Sequence, residues 1–122
     1  TMSIKRVLIV DDAAPDRVNL EQIVSEDGLM VSTATNGNEA LEKVSEATPD
    51  IIFLDILMPG MDGFETCRNL RKNDNTRNVP VVMVSSKSNK ADRIWAMEQG
   101  ASGYITKPYT ADDIRGVMER FN

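Results

Sequence analysis

The sequence of 122 residues contains no histidine and only one cysteine, Cys67. The absence of histidine excludes Ser-His-Asp and Cys-His catalysis, histidine-ligated zinc and a phosphohistidine role. A single cysteine excludes an internal disulfide and thiolate zinc sites. If the chain holds a metal, oxygen atoms must bind it, which favours a hard ion such as Mg²⁺.

Long apolar stretches and excess positive charge are also missing. No apolar run approaches the roughly 20 residues that span a membrane, and no signal-peptide pattern opens the chain. The net charge of −5 argues against a nucleic-acid-binding surface. No linker, repeat or low-complexity tract divides the sequence, and its length suits one domain. We therefore expect a single domain over residues 1–122, cytoplasmic, with neither a membrane nor a nucleic acid as direct partner.

Apolar runs and amphipathic segments alternate five times along the chain. The expected strands cover residues 7–10, 29–34, 51–54, 80–84 and 104–106. Helices are expected after each, the first from Pro15 to Gly28 and the fourth over about 90–99. The repeated strand-helix order predicts an α/β domain with a parallel sheet and helices on both faces.

The helix boundaries carry recognisable start signals. Asn36 and Glu39 have capping-box spacing, and Thr110 with Asp113 forms an Asp variant of the same motif. The first helix has only alanines at 13 and 14, where a small polar cap is usual. Its apolar side is assigned to Val18, Ile23 and Val24, with Leu20 off that face or at its edge.

Reactive side chains stand at the ends of four expected strands. These are Asp11 and Asp12 after the first, Asp55 after the third, Ser85 after the fourth and Lys107 after the fifth. A strand-end Asp taken singly is usually a turn former or a helix cap. Together the five residues should converge, because ligands of parallel sheets bind outside the carboxyl ends of the strands.

The expected cluster has a chemical consequence. Three neighbouring carboxylates cannot all be ionised unless a cation joins them. Lys107 supplies one positive charge, and Mg²⁺ would supply two more. A carboxylate in such a cleft can act as a nucleophile, and aspartyl-phosphate formation is one known use. Mg²⁺, Lys107 and the Ser85 hydroxyl would suit the oxygens of a phosphoryl group.

The same residues lie in four motifs that identify a resemblance. They are Val-Asp-Asp at 10–12, Leu-Asp-Ile-Leu-Met-Pro-Gly-Met-Asp-Gly at 54–63, Met-Val-Ser-Ser at 83–86 and Gly-Ala-Ser-Gly-Tyr-Ile-Thr-Lys-Pro-Tyr at 100–109. Over essentially its whole length the chain resembles the CheY-like receiver domain of bacterial two-component response regulators. The resemblance implies a flavodoxin-like, doubly wound sheet of five parallel strands in the order 2-1-3-4-5, with five helices.

The resemblance also assigns roles at the acidic cluster. Asp55 would be the phosphoacceptor, modified by a sensor histidine kinase or its phosphotransfer domain. Mg²⁺ would be the cofactor, bound by the side chains of Asp12 and Asp55 and by the backbone carbonyl of Leu57. Asp11 would reach the metal through water. The chain would thus be a signalling switch and not an enzyme, apart from its own phosphorylation and dephosphorylation.

Further implied roles concern the switch. Lys107 and Ser85 would contact the phosphoryl group, and the Lys107–Pro108 peptide bond would be cis. Ser85 and Tyr104 would form the switch pair. On phosphorylation the face of the fourth helix, fifth strand and fifth helix would change shape and bind a downstream protein. The domain would be a monomer or a weak homodimer, and it would act in motility or chemotaxis.

Two positions depart from the CheY pattern. Leu57 replaces a polar residue, and Lys87 replaces an acid. Both positions flank the path of the attacking water in the family, so we expect Leu57 to slow loss of the phosphoryl group. The stretch 87–100, which contains Trp95, looks more like the PilG/PilH-type twitching-motility regulators.

Three alternatives remain at the level of the sequence. The domain is compatible with a receiver taken from a larger regulator with DNA-binding or enzymatic output. An aspartyl-phosphate hydrolase fits less well, since such enzymes usually carry a second Asp where Leu57 stands. A flavin or nucleotide carrier also fits poorly, because no glycine-rich phosphate loop follows the first strand.

Overall fold

Five parallel strands form one sheet in the order β2-β1-β3-β4-β5 in the computed structural model, which describes residues 3–122. The strands are β1 (Arg6–Val10), β2 (Met30–Ala34), β3 (Ile51–Asp55), β4 (Val81–Ser85) and β5 (Gly103–Thr106). All four neighbouring pairs are parallel. The predicted fold class and strand order are thereby confirmed, while positions 1 and 2 of the predicted domain lie outside the described residues.

Five helices connect and follow the strands. They are α1 (Ala14–Glu26), α2 (Gly37–Glu46), α3 (Gly63–Lys72), α4 (Lys90–Glu98) and α5 (Ala111–Arg120). In α2 to α5 an Asn, Asp or Thr side chain caps the first turn by accepting a backbone N–H three residues later. The capping box at Thr110 and Asp113 is present, and Ala13 provides no side-chain cap for α1.

The sheet separates two apolar clusters, one on each face. Successive strand residues point to opposite faces, so Leu54 joins one cluster and Phe53 the other. The helices α2, α3 and α4 contribute to the first cluster, and α1 and α5 to the second. All five residues of β3 and of β4 are buried, as expected for strands covered on both faces.

The apolar face of α1 differs from the expected one. Leu20 is 4% exposed and Val24 is fully buried, whereas Val18 is 55% exposed. Residues four apart share a helix face, and residues two apart do not. The expectation that Val18 faces the core and Leu20 does not was therefore wrong.

The fold leaves the carboxyl ends of the strands at one edge, where the loops to the helices begin. Gly63 starts α3 against this edge, and its N–H donates to the carbonyl of Ile56 over 2.8 Å. A side chain at this position would collide with the backbone carbonyl of Asp55. Among the described residues, no helix combines the length and the apolar character needed to cross a bilayer.

Candidate functional site

Three carboxylates meet at this edge of the sheet. Asp11 follows β1, Asp12 is the next residue, and Asp55 is the last residue of β3. One oxygen from each of the three lies within 4.8 Å of the other two. Asp11 and Asp55 are buried and Asp12 is exposed. The arrangement is a cluster of negative charge that opens to solvent on the Asp12 side.

Lys107 brings one positive charge to the cluster from the end of β5. Its Nζ lies 2.9 Å from Oδ2 of Asp11 and 3.7 Å from Oδ1 of Asp55. The backbone N–H of Lys107 donates to the carbonyl of Ser85 over 2.9 Å, which joins the ends of β4 and β5. The following peptide bond, to Pro108, is cis. Four of the strand-end residues, Asp11, Asp12, Asp55 and Lys107, are thus brought together.

A fourth carboxylate, which sequence reasoning missed, also contacts Lys107. Oδ2 of Asp16 lies 2.8 Å from Nζ of Lys107. Asp16 belongs to the first turn of α1 and follows no strand directly. The available signal was its place in the helix that leaves β1, since the start of that helix lies at the same edge as Asp11.

The loop from β1 to α1 is held by the backbone and side chain of Asp11. Its Oδ1 accepts the N–H of Ala13 over 2.9 Å. Its carbonyl accepts a hydrogen bond from Nη1 of Arg17, also over 2.9 Å. These two bonds tie Asp11 to the start of α1.

The electrostatic balance of the cluster shows in two pKa shifts. Burial raises the pKa of Asp55 to about 7, the charge of Asp11 adds to the rise, and Lys107 opposes it. Burial lowers the pKa of Lys107, but the hydrogen bonds to Asp16 and Asp11 outweigh it, and the net shift is upward. Lys107 is therefore charged. When no metal is bound, the carboxyl group of Asp55 is partly protonated near neutral pH.

Ser85 ends β4 beside the acidic cluster. The register pairs Asp55 with Val84, so Ser85 stands one residue beyond the partner of Asp55. Its side chain is fully buried, and Oγ accepts the backbone N–H of Lys87 over 3.1 Å. Because Oγ is the acceptor in this bond, the hydroxyl proton of Ser85 is not used in it and can be donated to an oxygen at the sheet edge.

Tyr104 is tied to the loop between β4 and α4. Its hydroxyl donates to the carbonyl of Lys87 over 2.5 Å. The guanidinium carbon of Arg93 lies 5.0 Å from the centroid of the Tyr104 ring, and Nη2 of Arg93 donates to Oγ1 of Thr106 over 2.8 Å. Burial raises the pKa of Tyr104, which keeps its hydroxyl protonated as a donor.

The donor set of the cluster fits a hard divalent cation. Asp11, Asp12 and Asp55 offer only oxygen atoms, which Mg²⁺ prefers.

Leu57 lies two residues after Asp55 in the chain, and its side chain is 53% exposed. An apolar side chain thus stands two residues after Asp55.

Comparison with known sequences places these features in a family. Residues 7–119 match the family described as "Response regulator receiver domain". The response regulator PleD of Caulobacter vibrioides is 43% identical over 109 residues, which cover 89% of this chain and 24% of PleD. The protein PilH of Pseudomonas aeruginosa is 37% identical over 103 residues, which cover 84% of this chain and 85% of PilH. The chain thus spans about a quarter of PleD, one of the relatives it matches.

Solved structures give the same result. The chemotaxis protein CheY4 of Vibrio cholerae superposes with a TM-score of 0.93 at 28% identity and covers 98% of this chain and 100% of CheY4. The receiver domain of a histidine kinase from Syntrophus aciditrophicus has a TM-score of 0.88 at 33% identity, with 96% and 89% covered. Since the family match covers nearly the whole chain and the fold agrees, the chain belongs to the response regulator receiver domains, a family of signalling switches.

Proposed function

We propose that this domain is a switch in two-component signalling, turned on by Mg²⁺-dependent phosphorylation of Asp55. The observation that carries the proposal is the meeting of Asp11, Asp12 and Asp55 with Lys107 at one edge of the sheet. The phosphoryl group would come from a sensor histidine kinase or its phosphotransfer domain, as the family membership suggests.

The residues have separate roles in this proposal. Asp12, Asp55 and the carbonyl of Leu57 would hold Mg²⁺ directly, and Asp11 through a water molecule. The metal would supply positive charge that offsets the carboxylates and the phosphoryl oxygens. An oxygen of Asp55 would attack phosphorus, a new bond from oxygen to phosphorus would form, and the bond from phosphorus to the donor would break. Its electron pair would leave with the donor.

Lys107 and Ser85 would then hold the transferred group. Phosphoryl transfer depends mainly on positioning and on charge stabilisation. The Lys107 ammonium is already 3.7 Å from Asp55, within a small movement of hydrogen-bonding distance. The Ser85 hydroxyl would leave the N–H of Lys87 and turn to a phosphoryl oxygen.

The output would pass through Tyr104. Because Ser85 and Tyr104 both bind the backbone of Lys87, a movement of Ser85 would disturb the support of Tyr104. Tyr104 would move inward, and the face of α4, β5 and α5 would change shape and bind a downstream protein. This is a local charge change that biases a two-state element.

The biological setting is part of the same proposal. The coverage of 85% of PilH and 100% of the chemotaxis protein CheY4 supports a stand-alone domain of residues 1–122 in motility or chemotaxis. We propose with it that the domain is cytoplasmic and monomeric or weakly dimeric. The 24% coverage of PleD favours a second candidate, a receiver that belongs to a larger regulator with its own output. Both candidates share the chemistry at Asp55.

Intact mass spectrometry tests the chemistry. The protein is incubated with acetyl phosphate with and without Mg²⁺. We expect one phosphoryl adduct per chain that requires Mg²⁺ and disappears in Asp55→Asn. Sustained release of phosphate without an adduct would indicate a hydrolase. No adduct and no turnover would point to binding that does not depend on phosphorylation.

A further inference from the structure

We propose that Asp16 is a positioning residue that competes with the phosphoryl group for Lys107. In the unphosphorylated domain Asp16 holds the lysine away from Asp55 and thereby limits how readily Asp55 accepts a phosphoryl group. This inference rests on the function proposed above. It concerns a residue outside the four sequence motifs.

The distances show how Lys107 is shared. Nζ lies 2.8 Å from Asp16 and 2.9 Å from Asp11, both within hydrogen-bonding distance. It lies 3.7 Å from Asp55, beyond a normal hydrogen bond. Of these three carboxylates, Asp55, the proposed nucleophile, is the one that the ammonium contacts least closely.

The burial of the partners indicates which contact gives way. The side chain of Lys107 is 18% exposed and that of Asp11 is 7% exposed, so their ion pair is largely shielded from water. The side chain of Asp16 is 47% exposed. Water can therefore solvate the Asp16 carboxylate after Lys107 leaves it, whereas Asp11 would be left charged and buried.

The other structural role of Asp16 is modest: its charge in the first turn of α1 interacts favourably with the helix dipole. It is not the N-cap of α1, which is Ala13. The neighbouring Arg17, not Asp16, anchors the loop through the carbonyl of Asp11. Substitution of Asp16 should therefore change the position of Lys107 and leave the fold intact.

Phosphorylation would reverse the preference of Lys107. The phosphoryl group on Asp55 adds charged oxygens close to the ammonium, and charge-assisted hydrogen bonds to such oxygens are strong. Lys107 would move from Asp16 to the phosphoryl group while it keeps Asp11. Removal of the competing carboxylate should therefore favour the phosphorylated state.

The kinetic test compares initial rates of adduct formation from acetyl phosphate at saturating Mg²⁺. We expect Asp16→Asn to be faster than wild type by roughly threefold or more, within the range of coupling between contacting residues. Asp16→Glu should return the rate toward wild type. Glu21→Gln, which removes a carboxylate further along α1, should leave the rate unchanged.

A double-mutant cycle separates positioning from bulk charge. If Asp16 acts through Lys107, then Asp16→Asn has no effect in a Lys107→Met background. An equal acceleration in both backgrounds would mean a general field effect and would overturn the inference. So would a rate for Asp16→Asn equal to that of wild type.

A measurement without phosphorylation makes the two failures distinguishable. In nuclear magnetic resonance spectra, the Lys107 ammonium should show slowed proton exchange in wild type and in Asp16→Glu, and faster exchange in Asp16→Asn. Identical exchange in all three proteins would contradict the inference. If wild type forms no adduct at all, the proposed function fails and the competition falls with it, even where the ammonium is held as described.

Discussion

Asp55 is the residue on which burial and charge act most strongly. Its side chain is 8% exposed, and it faces two further carboxylates and one ammonium. The pKa of about 7, raised first by burial and then by Asp11, means that the folded protein resists ionising this group. In the metal-free site, repulsion between the carboxylates therefore increases as the pH rises and Asp55 ionises.

The raised pKa of Asp55 predicts that the stability of the metal-free protein depends on pH. In the unfolded chain Asp55 loses its proton near pH 3.8, and in the folded, metal-free chain near pH 7. Between these values the folded state binds more protons, so the contribution of Asp55 to stability is fully present below the lower value and is lost as the pH rises. In urea unfolding without divalent cations, the free energy of unfolding of Asp55→Asn should rise relative to that of wild type between pH 4 and pH 8.

The expected increase in the free energy of unfolding of Asp55→Asn relative to wild type is on the order of 1 kcal/mol or more, because one pKa unit corresponds to about 1.4 kcal/mol. Asp74→Asn is a matched control, since Asp74 is 90% exposed and paired only with Arg77 among the described residues. A difference between Asp55→Asn and wild type that does not change with pH would contradict the account.

Leu57 gives a second prediction at this scale. Its exposed apolar side chain stands two residues after Asp55, where we expect it to keep the attacking water away from the acyl phosphate. Leu57→Asn should shorten the lifetime of the phosphorylated protein several-fold. The lifetime is measured by intact mass after removal of acetyl phosphate. An unchanged lifetime would contradict the expectation that Leu57 keeps the attacking water away.

Residues at strand ends were the part of the site that the sequence could predict. The parallel topology alone brings Asp11, Asp55 and Lys107 to one edge. Asp16 was missed because it follows no strand directly: its place at the start of α1 puts it near this edge, but its contact with Lys107 depends on how α1 packs there. The distances within the cluster, and hence the pKa of Asp55, depend on the same packing.

Among the secondary-structure elements, the end of α3 depends on one side chain, Arg71. Its Nε donates to the carbonyl of Gly100 over 2.8 Å. Its Nη1 donates to the carbonyls of Thr76 and Val79, over 3.0 Å and 2.8 Å, and Nη2 to the hydroxyl of Ser102 over 3.2 Å. The guanidinium thus joins α3, the loop before β4 and the turn before β5.

Arg71→Met should destabilise the domain by about 2–4 kcal/mol. The methionine keeps the apolar stem but leaves three carbonyls without their donor, and such losses cost about 1–3 kcal/mol each when buried. Chemical unfolding measures the change, with Lys72→Met as control at the neighbouring exposed position. A loss equal to that of the control would show that water replaces the guanidinium.

The order of the elements could be predicted from the alternation of apolar runs and turn residues. The capping box at Thr110 was predicted correctly because capping is a local interaction. The face of α1 was not, since Val18, Leu20 and Val24 are all apolar and only the packing partner distinguishes them. The contacts of Arg71 with Gly100 and Ser102 join segments 29 and 31 residues apart and leave no local signal.

For the whole molecule, metal binding at the acidic cluster should appear as a gain in stability. A ligand that binds only the folded state at ten times its Kd stabilises by about 1.4 kcal/mol, which corresponds to a few degrees in Tm. Thermal unfolding at pH 8 should therefore show a higher Tm with Mg²⁺ than with a chelator. Asp12→Asn should lose most of this gain, and Asp74→Asn should keep it. Equal shifts in both variants would contradict specific binding at the cluster.

At the same scale, the fold is shared by receiver domains of quite different sequence. CheY4 shares the fold at a TM-score of 0.93 with only 28% identity, so the arrangement tolerates wide changes in sequence. In the proposed function, the binding of a downstream protein would depend on surface residues of α4, β5 and α5.

The central claim, that Asp55 is the residue modified, has a direct measurement. The protein is phosphorylated with acetyl phosphate and Mg²⁺, and borohydride then converts any aspartyl phosphate to homoserine. Peptide sequencing by mass spectrometry locates the product. Homoserine at position 55, and at none of the three neighbouring aspartates 11, 12 and 16, is the predicted result. A phosphoryl group on Ser85, or homoserine at one of those aspartates, would contradict the account.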